Sequence, residues 1–235
     1  QLGRGYLFHA PDGSFIKPVV GHTRKINAAT FPSNGHLLTA SSDSTVIEWN
    51  IESRNAAPQI VRTFPHRARV AAMDVSRDGK LLVTAADSQD DEAVLRLWNI
   101  ESGALVQRLR LADRVGPSRS HANMLQQNKT GAEDLPAIRS VAFHSQQPQV
   151  LITLFDPTTS KHQLNYRLAT WNWSNKQASV RWIATGLRDT SMAVYSPNRD
   201  GSILTVGGRG ARVRLANHVV MNYRPQTRVQ AVAFS

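Results

Sequence analysis

A short apolar pattern occurs five times along this chain at long intervals. Its copies are INAATF, VAAMDV, IRSVAF, TSMAVY and VQAVAF, which begin at residues 26, 70, 138, 190 and 229. The starting points are 44, 68, 52 and 39 positions apart. Self-similarity at such a period is the signature of a protein built from repeated supersecondary units. The pattern therefore predicts an array of units, two of which carry insertions.

A second marker recurs in phase with the first. It is a run ending in Trp-Asn, found as VIEWN, LRLWN and LATWN, with VRLAN as a degenerate fourth copy; these runs end at Asn50, Asn99, Asn172 and Asn217. In both series the longest interval separates the second copy from the third. Two markers that share their long and short intervals indicate a true structural repeat.

Each unit alternates apolar and polar residues with a period of two, and Gly-containing turns separate the runs. In the first complete unit this pattern predicts strands at 26–31, 36–41, 45–50 and 59–64, with a turn at Asn34-Gly35. Four short strands in about 40–45 residues are typical of one blade of a β-propeller. The predicted fold is all-β, a propeller of four-stranded antiparallel blades.

The first complete unit resembles a WD40 repeat. It has the Gly-His start of that family at Gly21 and His22, a Ser and an Asp around the second tight turn at Ser41 and Asp43, and the closing Trp49. Later units keep fewer of these residues. The resemblance implies a WD40-like propeller, and another propeller with four-stranded blades is the alternative.

By this resemblance, His22, Ser41, Asp43 and Trp49 form a buried hydrogen-bond network that ties the second and third strands to the loop leading into the blade. Ser, His and Asp are also the components of a hydrolase triad. No nucleophile elbow or oxyanion-type glycine loop accompanies Ser41, so the structural network is favoured over catalysis. We expect no enzyme activity in this segment.

The repeats divide the chain into a single propeller segment over residues 1–235. Its expected parts are a partial blade at 1–20, blades at roughly 21–64, 65–111, 137–183 and 184–224, a partial blade at 225–235, and a loop insertion at 112–136. About four full blades with a partial blade at each end do not make a closed ring. We therefore expect a segment of a longer propeller that extends in both directions, because an unclosed array leaves edges that pair with other chains.

The composition limits the other possibilities. There are no cysteines, no two histidines have metal-ligand spacing, and no apolar run approaches the ~20 residues of a membrane span. We therefore expect no metal or other cofactor and a soluble protein. The sequence does not assign a compartment, although it favours the cytoplasm.

The net charge of +11 raises RNA or another polyanion as a partner. However, the arginines are scattered through strand-like runs, where their alternation with apolar residues predicts the solvent face of half-buried strands. The residues with this pattern are Arg96, Arg108, Arg110, Arg167, Arg181, Arg212 and Arg214. Dispersed charge lacks the clustering of a nucleic-acid footprint, so this alternative ranks second.

In the family, the loops between blades and those between second and third strands emerge on one face, called the top face. The long loops of this chain fall there, and so do acids and bases in similar numbers, which favours a protein or peptide partner. The candidate partner-binding residues are Arg24, Lys25, Arg67, Arg69, Arg114, Arg119, Arg139, Lys161, Arg188 and Arg209. The predicted function is a non-catalytic interaction scaffold; a docking or sensing module of a larger enzyme, such as a kinase, is a further alternative.

Overall fold

The computed structural model describes residues 3–33, 35–53, 55–87, 94–111, 137–155, 166–174, 179–187, 190–195, 203–207, 210–215 and 218–223. All regular secondary structure in these residues is β-strand, which confirms the all-β prediction. The same residues contain no long apolar helix of the kind that crosses a membrane.

The strands form antiparallel sheets that follow the order of the chain. The first sheet is a hairpin of β1 (Arg4–Phe8) and β2 (Phe15–Val20). Four four-stranded sheets follow and are named blades 1 to 4. Blade 1 consists of β3 (Ile26–Thr30), β4 (His36–Ser41), β5 (Thr45–Asn50) and β6 (Gln59–Pro65). Blade 2 consists of β7 (Val70–Val75), β8 (Leu81–Ala86), β9 (Val94–Asn99) and β10 (Leu105–Arg110). Blade 3 consists of β11 (Ala137–Phe143), β12 (Gln149–Phe155), β13 (Tyr166–Asn172) and β14 (Ser179–Leu187). Blade 4 consists of β15 (Thr190–Tyr195), β16 (Ile203–Gly207), β17 (Gly210–Leu215) and β18 (His218–Tyr223).

The boundary between blades 3 and 4 differs from the predicted one. We expected blade 3 to end near residue 183, and β14 continues to Leu187, which pairs with Tyr166 at the start of β13. Two register shifts along this pair let β14 stay bonded over its whole length. The predicted insertion at 112–136 and partial blade at 225–235 lie outside the described residues.

Each blade begins with a strand that carries a bulge. The register between first and second strands shifts between Ile26 and Ala28 in blade 1, and between Val70 and Ala72 in blade 2. Blades 3 and 4 have the same shift at the second residue of the repeated apolar pattern. A bulge leaves its extra residue unpaired and increases the local twist, so the repeat reproduces one bend in every blade.

The first strands lie side by side, since β7 contacts both β3 and β11, and β11 contacts β15. A hydrogen bond joins each neighbouring pair of blades. Asn27 Nδ2 donates to the carbonyl of Val70 over 2.8 Å between blades 1 and 2. The backbone N–H of Phe143 donates to Asp74 Oδ2 over 2.7 Å between blades 2 and 3. Between blades 3 and 4, Ala193 N donates to Ser140 Oγ over 3.1 Å.

The apolar core lies between neighbouring sheets, and the repeated tryptophan of blades 1 to 3 faces the sheet before it. Trp49 packs in one cluster with Val19 of the β1–β2 hairpin. Trp98 meets Phe64 of blade 1 with ring centroids 5.6 Å apart. Trp171 is buried in the cluster that contains Leu109 of blade 2. Aromatic side chains bury large areas, so the tryptophan of the Trp-Asn marker stabilises the packing of each of these blades on the preceding sheet.

Candidate interaction face of the first two blades

A buried chain of hydrogen bonds runs through blade 1. His22 Nδ1 donates to Asp43 Oδ2 over 2.8 Å, because a carboxylate can only accept. The Nε2 atom then accepts from the Thr39 hydroxyl over 2.8 Å, and Trp49 Nε1 donates to the same hydroxyl oxygen over 2.7 Å. Every polar group in this chain therefore has a partner, which fixes the loop around residue 22 against β4 and β5.

Asp43 is the anionic end of this chain of bonds. Burial by itself would raise the pKa of Asp43, but hydrogen bonds from Thr45, His22 and Thr23 favour the carboxylate and leave its pKa below the ordinary value. Thr45 Oγ1 donates to Asp43 Oδ1 over 2.6 Å, and Thr23 N donates to Oδ2 over 3.0 Å. The carboxylate thus joins two loops to the start of β5.

The hydroxyl that links histidine to tryptophan belongs to Thr39, which the sequence analysis missed. Ser41, the predicted residue, donates instead to the carbonyl of Arg24 over 3.1 Å and accepts from Asp43 N at the same distance. His22 Nε2 is bonded to Thr39 and Ser41 Oγ to the carbonyl of Arg24, so His22 and Ser41 are not joined as the base and nucleophile of a triad. The available signal was a threonine at the same position of the second strand in two repeats, Thr39 and Thr84.

Gly21, which precedes the histidine, has no room for a side chain. A Cβ atom there would lie 2.5 Å from Cη2 of Trp49. The Gly-His dipeptide is therefore a packing requirement: the indole ring occupies the space beside the backbone.

Blade 2 repeats the arrangement without a carboxylate. His66 Nδ1 donates to the carbonyl of Phe64 over 3.0 Å, and Thr84 Oγ1 contacts both His66 Nε2 at 2.8 Å and Trp98 Nε1 at 3.0 Å. Burial, and then the positive charge of Arg96, lower the pKa of His66 to about 4. The ring is therefore neutral at physiological pH, and no carboxylate of the described residues is bonded to it.

In blade 3 the arrangement is lost. Trp171 pairs with Val150, and the residue two positions along β12 is Ile152, where blades 1 and 2 have threonine. Within the described part of the chain, Trp171 Nε1 is buried and has no hydrogen-bond acceptor. Within the described residues, the network therefore includes a carboxylate in blade 1, lacks the carboxylate in blade 2, and lacks the threonine hydroxyl in blade 3.

Three loops meet at one end of blades 1 and 2. Ser42 N donates to the carbonyl of Lys25 over 2.9 Å, and His66 N donates to that of Ser44 over 2.9 Å. These bonds join the loop before β3, the β4–β5 turn and the loop before β7. We use the name top face for the surface formed by residues 21–25, 42–44, 66–69 and 87. Its backbone is held by hydrogen bonds, so its side chains project from a rigid base.

Four of the predicted partner-binding residues lie on the top face, namely Arg24, Lys25, Arg67 and Arg69, and all four are exposed. Arg69 Nε forms an ion pair with Asp87 Oδ2 at 3.2 Å. Among the described residues the other three form no ion pair with a carboxylate.

The remaining predicted residues are placed differently. Arg139 is exposed at the bulge of β11, with its guanidinium 5.1 Å from the centre of the Phe155 ring. This contact is a cation–π interaction within blade 3. The other five, Arg114, Arg119, Lys161, Arg188 and Arg209, lie outside the described residues.

The exposure of Arg96 differs from the predicted one. We predicted a solvent-facing side chain, but Arg96 is only 9% exposed. Alternation of apolar and polar residues separates the two faces of a strand, but it does not show what lies against each face. The face of β9 that carries Arg96 and Trp98 lies toward blade 1 and is not open to solvent. Burial, followed by the charges of Arg108 and Arg67, lowers the pKa of Arg96 from its ordinary value. Arg67 and Arg108, which are distant from Arg96 in other parts of the sequence, therefore lie close enough to act on its charge.

Comparisons with known proteins agree with this architecture. The family model for the WD domain, G-beta repeat, matches residues 13–50 and 58–99. Each matched stretch begins with the outer strand of one sheet and ends with the tryptophan strand of the next, as WD40 repeats and blades are offset. The described residues contain no cluster of three or more potential metal ligands among His, Asp and Glu.

Two similar proteins are larger than this chain. Cilia- and flagella-associated protein 251 of Chlamydomonas reinhardtii is 34% identical over 85 residues, which are 34% of this chain and 10% of that protein. The crystal structure of the RRP9 WD40 repeats matches with a TM-score of 0.54 and 20% identity over 83% of this chain and 49% of that one. The chain thus spans a tenth of the first protein and about half of the second. Residues 13–50 and 58–99 therefore match the WD40 repeat family, and the sheets of the chain have the fold of WD40 propeller blades.

Proposed function

We propose that this chain is a non-catalytic scaffold and that the top face of blades 1 and 2 docks a protein or peptide partner. The observation that supports the proposal is the state of Arg24, Lys25 and Arg67. These three side chains are exposed on hydrogen-bonded loops and form no ion pair within the described residues. Preorganised charges without internal partners are suited to an oppositely charged surface, because little ordering is needed on binding.

RNA is the rival ligand, and the net charge of +11 is the observation that favours it. The Arg69–Asp87 pair places a carboxylate within the same face, at 31% side-chain exposure. A mixed pattern of charge is better matched by a protein than by a polyanion, which would meet repulsion at Asp87. A docking module of a larger enzyme would use the same face, so the proposal holds for either setting.

The test is a charge reversal on the top face, R24E/K25E, compared with R77E/K80E on the turn between β7 and β8. The control pair is exposed, carries the same charge change and lies at the opposite end of blade 2. Proteins recovered with each tagged variant would be quantified by mass spectrometry, with and without nuclease. We expect partners to be lost from R24E/K25E alone. An unchanged partner set in a folded R24E/K25E variant contradicts the proposal, and recovery that disappears with nuclease supports RNA instead.

A further inference from the structure

The most unusual charged residue of blade 2 is Arg96, in the middle of β9. Its side chain is buried, and within the described part of the chain its guanidinium has neither a hydrogen bond nor an ion pair. A buried charge is costly unless it is paired and hydrogen-bonded. Arg96 is therefore a largely buried cation without an internal counter-charge among the described residues, which points to a counter-charge supplied by a ligand.

Two further arginines surround Arg96. Arg108 is its direct partner across the β9–β10 pair. Arg67 follows His66, whose ring bonds to Thr84, the partner of Arg96 across the β8–β9 pair. The charges of Arg108 and Arg67 both repel that of Arg96, as its lowered pKa records. No carboxylate among the described residues pairs with any of the three guanidinium groups.

Blade 1 shows that this cluster is not required by the fold. Aligned on the tryptophans, Arg96 corresponds to Ile47, and its partner Arg108 corresponds to Thr63. Arg67, the residue after the histidine, corresponds to Thr23. Ile47 is buried in an apolar cluster with Trp49. All three positions are thus uncharged in the first blade and positive in the second.

We infer that Arg67, Arg96 and Arg108 form a recognition site for the carboxylate groups of an acidic segment in the partner. This inference rests on the proposed function and adds the chemistry of what docks. The guanidinium group presents a planar fork of donors that matches a carboxylate, and a pair shielded from water is stronger than one in solution. An approaching carboxylate relieves the repulsion among the three arginines. A nucleic-acid backbone would need an extended positive stripe, whereas this cluster is compact and has the Arg69–Asp87 pair beside it.

The decisive variant is Arg96→Ile, because Ile47 already occupies the corresponding position of blade 1. Its control is Arg77→Ile, which removes one exposed positive charge from the opposite end of the blade. Binding of a fluorescein-labelled hexaglutamate peptide would be measured by fluorescence anisotropy, with hexaglutamine as the uncharged comparison. We expect the R96I affinity to fall about tenfold or more, with R77I close to the wild type. The thermal midpoint of R96I should be equal to or above that of the wild type.

A second pair of variants guards against an indirect effect of the buried substitution. R67Q/R108Q changes only exposed residues of the cluster, and R77Q/K80Q is its matched control. The first pair should weaken hexaglutamate binding and the second should not.

Several results would overturn the inference. They are an absence of hexaglutamate binding by the wild type, equal affinity of R96I and wild type, a lower thermal midpoint for R96I, or tighter binding of a uridine dodecamer than of hexaglutamate. If the cluster variants behave like wild type while R24E/K25E still loses its partners, the inference about the arginine cluster is wrong and the proposed function stands. If R24E/K25E also keeps its partners, both fail.

Discussion

Trp49 Nε1 donates its hydrogen to Thr39 Oγ1 over 2.7 Å, and this bond links the marker residue of the third strand to the second strand inside blade 1. The same hydroxyl serves His22, so a single oxygen joins three elements. Both groups are buried, and loss of this oxygen leaves an indole N–H and an imidazole nitrogen unsatisfied.

Thr39→Val tests this link because it keeps the shape of the side chain and removes the hydroxyl. We expect a loss of about 1–3 kcal/mol in the free energy of unfolding, the usual cost of unsatisfied buried polar groups. Urea denaturation followed by tryptophan fluorescence would measure it. Thr39→Ser keeps the hydroxyl and should lose less; equal losses for the two variants would show that packing, not hydrogen bonding, sets the effect.

Gly21→Ala should destabilise blade 1 by about 1–3 kcal/mol, because the new Cβ forces the Trp49 indole out of its position. Gly5→Ala is the control, since its Cβ would meet only ordinary contacts at 3.6 Å. The comparison can be sharpened with Trp49→Phe, whose smaller ring leaves space. In that background Gly21→Ala should cost clearly less, and a cost that is unchanged would exclude the indole as the cause.

Asp74 should make stability depend on pH. Burial raises its pKa to about 6 from an ordinary value of 3.8, although the bond from Phe143 N opposes the shift. Between these two values the folded state holds a proton that the unfolded state has released, so stability falls as pH rises from about 4 to about 6. The loss, about 2–3 kcal/mol, is complete above that window.

Asp74→Asn keeps an oxygen that accepts from Phe143 N and carries no charge. We expect this variant to resemble the wild type near pH 4 and to be more stable than the wild type above pH 6.5. Denaturation midpoints collected across this range would show the difference. Parallel pH profiles for the two proteins would mean that another group titrates.

Lys17 ties the β1–β2 hairpin to blade 1. Its buried ammonium donates to the carbonyls of Ile51, Ser53 and Ala56 in the connection between β5 and β6. Lys17→Met leaves these carbonyls without their donor and should cost about 2–4 kcal/mol. Hydrogen exchange by mass spectrometry should show faster exchange in peptides covering residues 51–58. Lys25→Met, on an exposed lysine, should leave both stability and exchange unchanged.

The sequence predicted the strands of blade 1 closely, since β3, β4 and β5 lie within the expected segments. Period-two alternation and turn residues are local signals, and they suffice for strand position. Local signals do not show what covers each face. β4 is buried along nearly its whole length because sheets stack on both of its sides. Arg96 was therefore assigned to solvent although the neighbouring blade covers it.

The hydrogen-bond network of blade 1 could be predicted only in part, because local sequence patterns do not show which side chains meet across strands. His22, Asp43 and Trp49 were found because the family pattern specifies them. Thr39 was missed because a hydroxyl between two strands is distinguished only by its partners, which the sequence does not show. The arginine cluster depends on the pairing of β9 with β10 and on the position of the loop before β7, so it became visible only in three dimensions.

The hydrogen bonds between neighbouring blades use three different chemical groups: the amide of Asn27, the carboxylate of Asp74 and the hydroxyl of Ser140. Of these groups only the carboxylate titrates in the physiological range. Blades with the same architecture therefore differ in the chemistry of their contacts. Acidification acts on the contact between blades 2 and 3 and leaves the other two contacts unaltered, so two repeats of one design can respond differently to the same change in their surroundings.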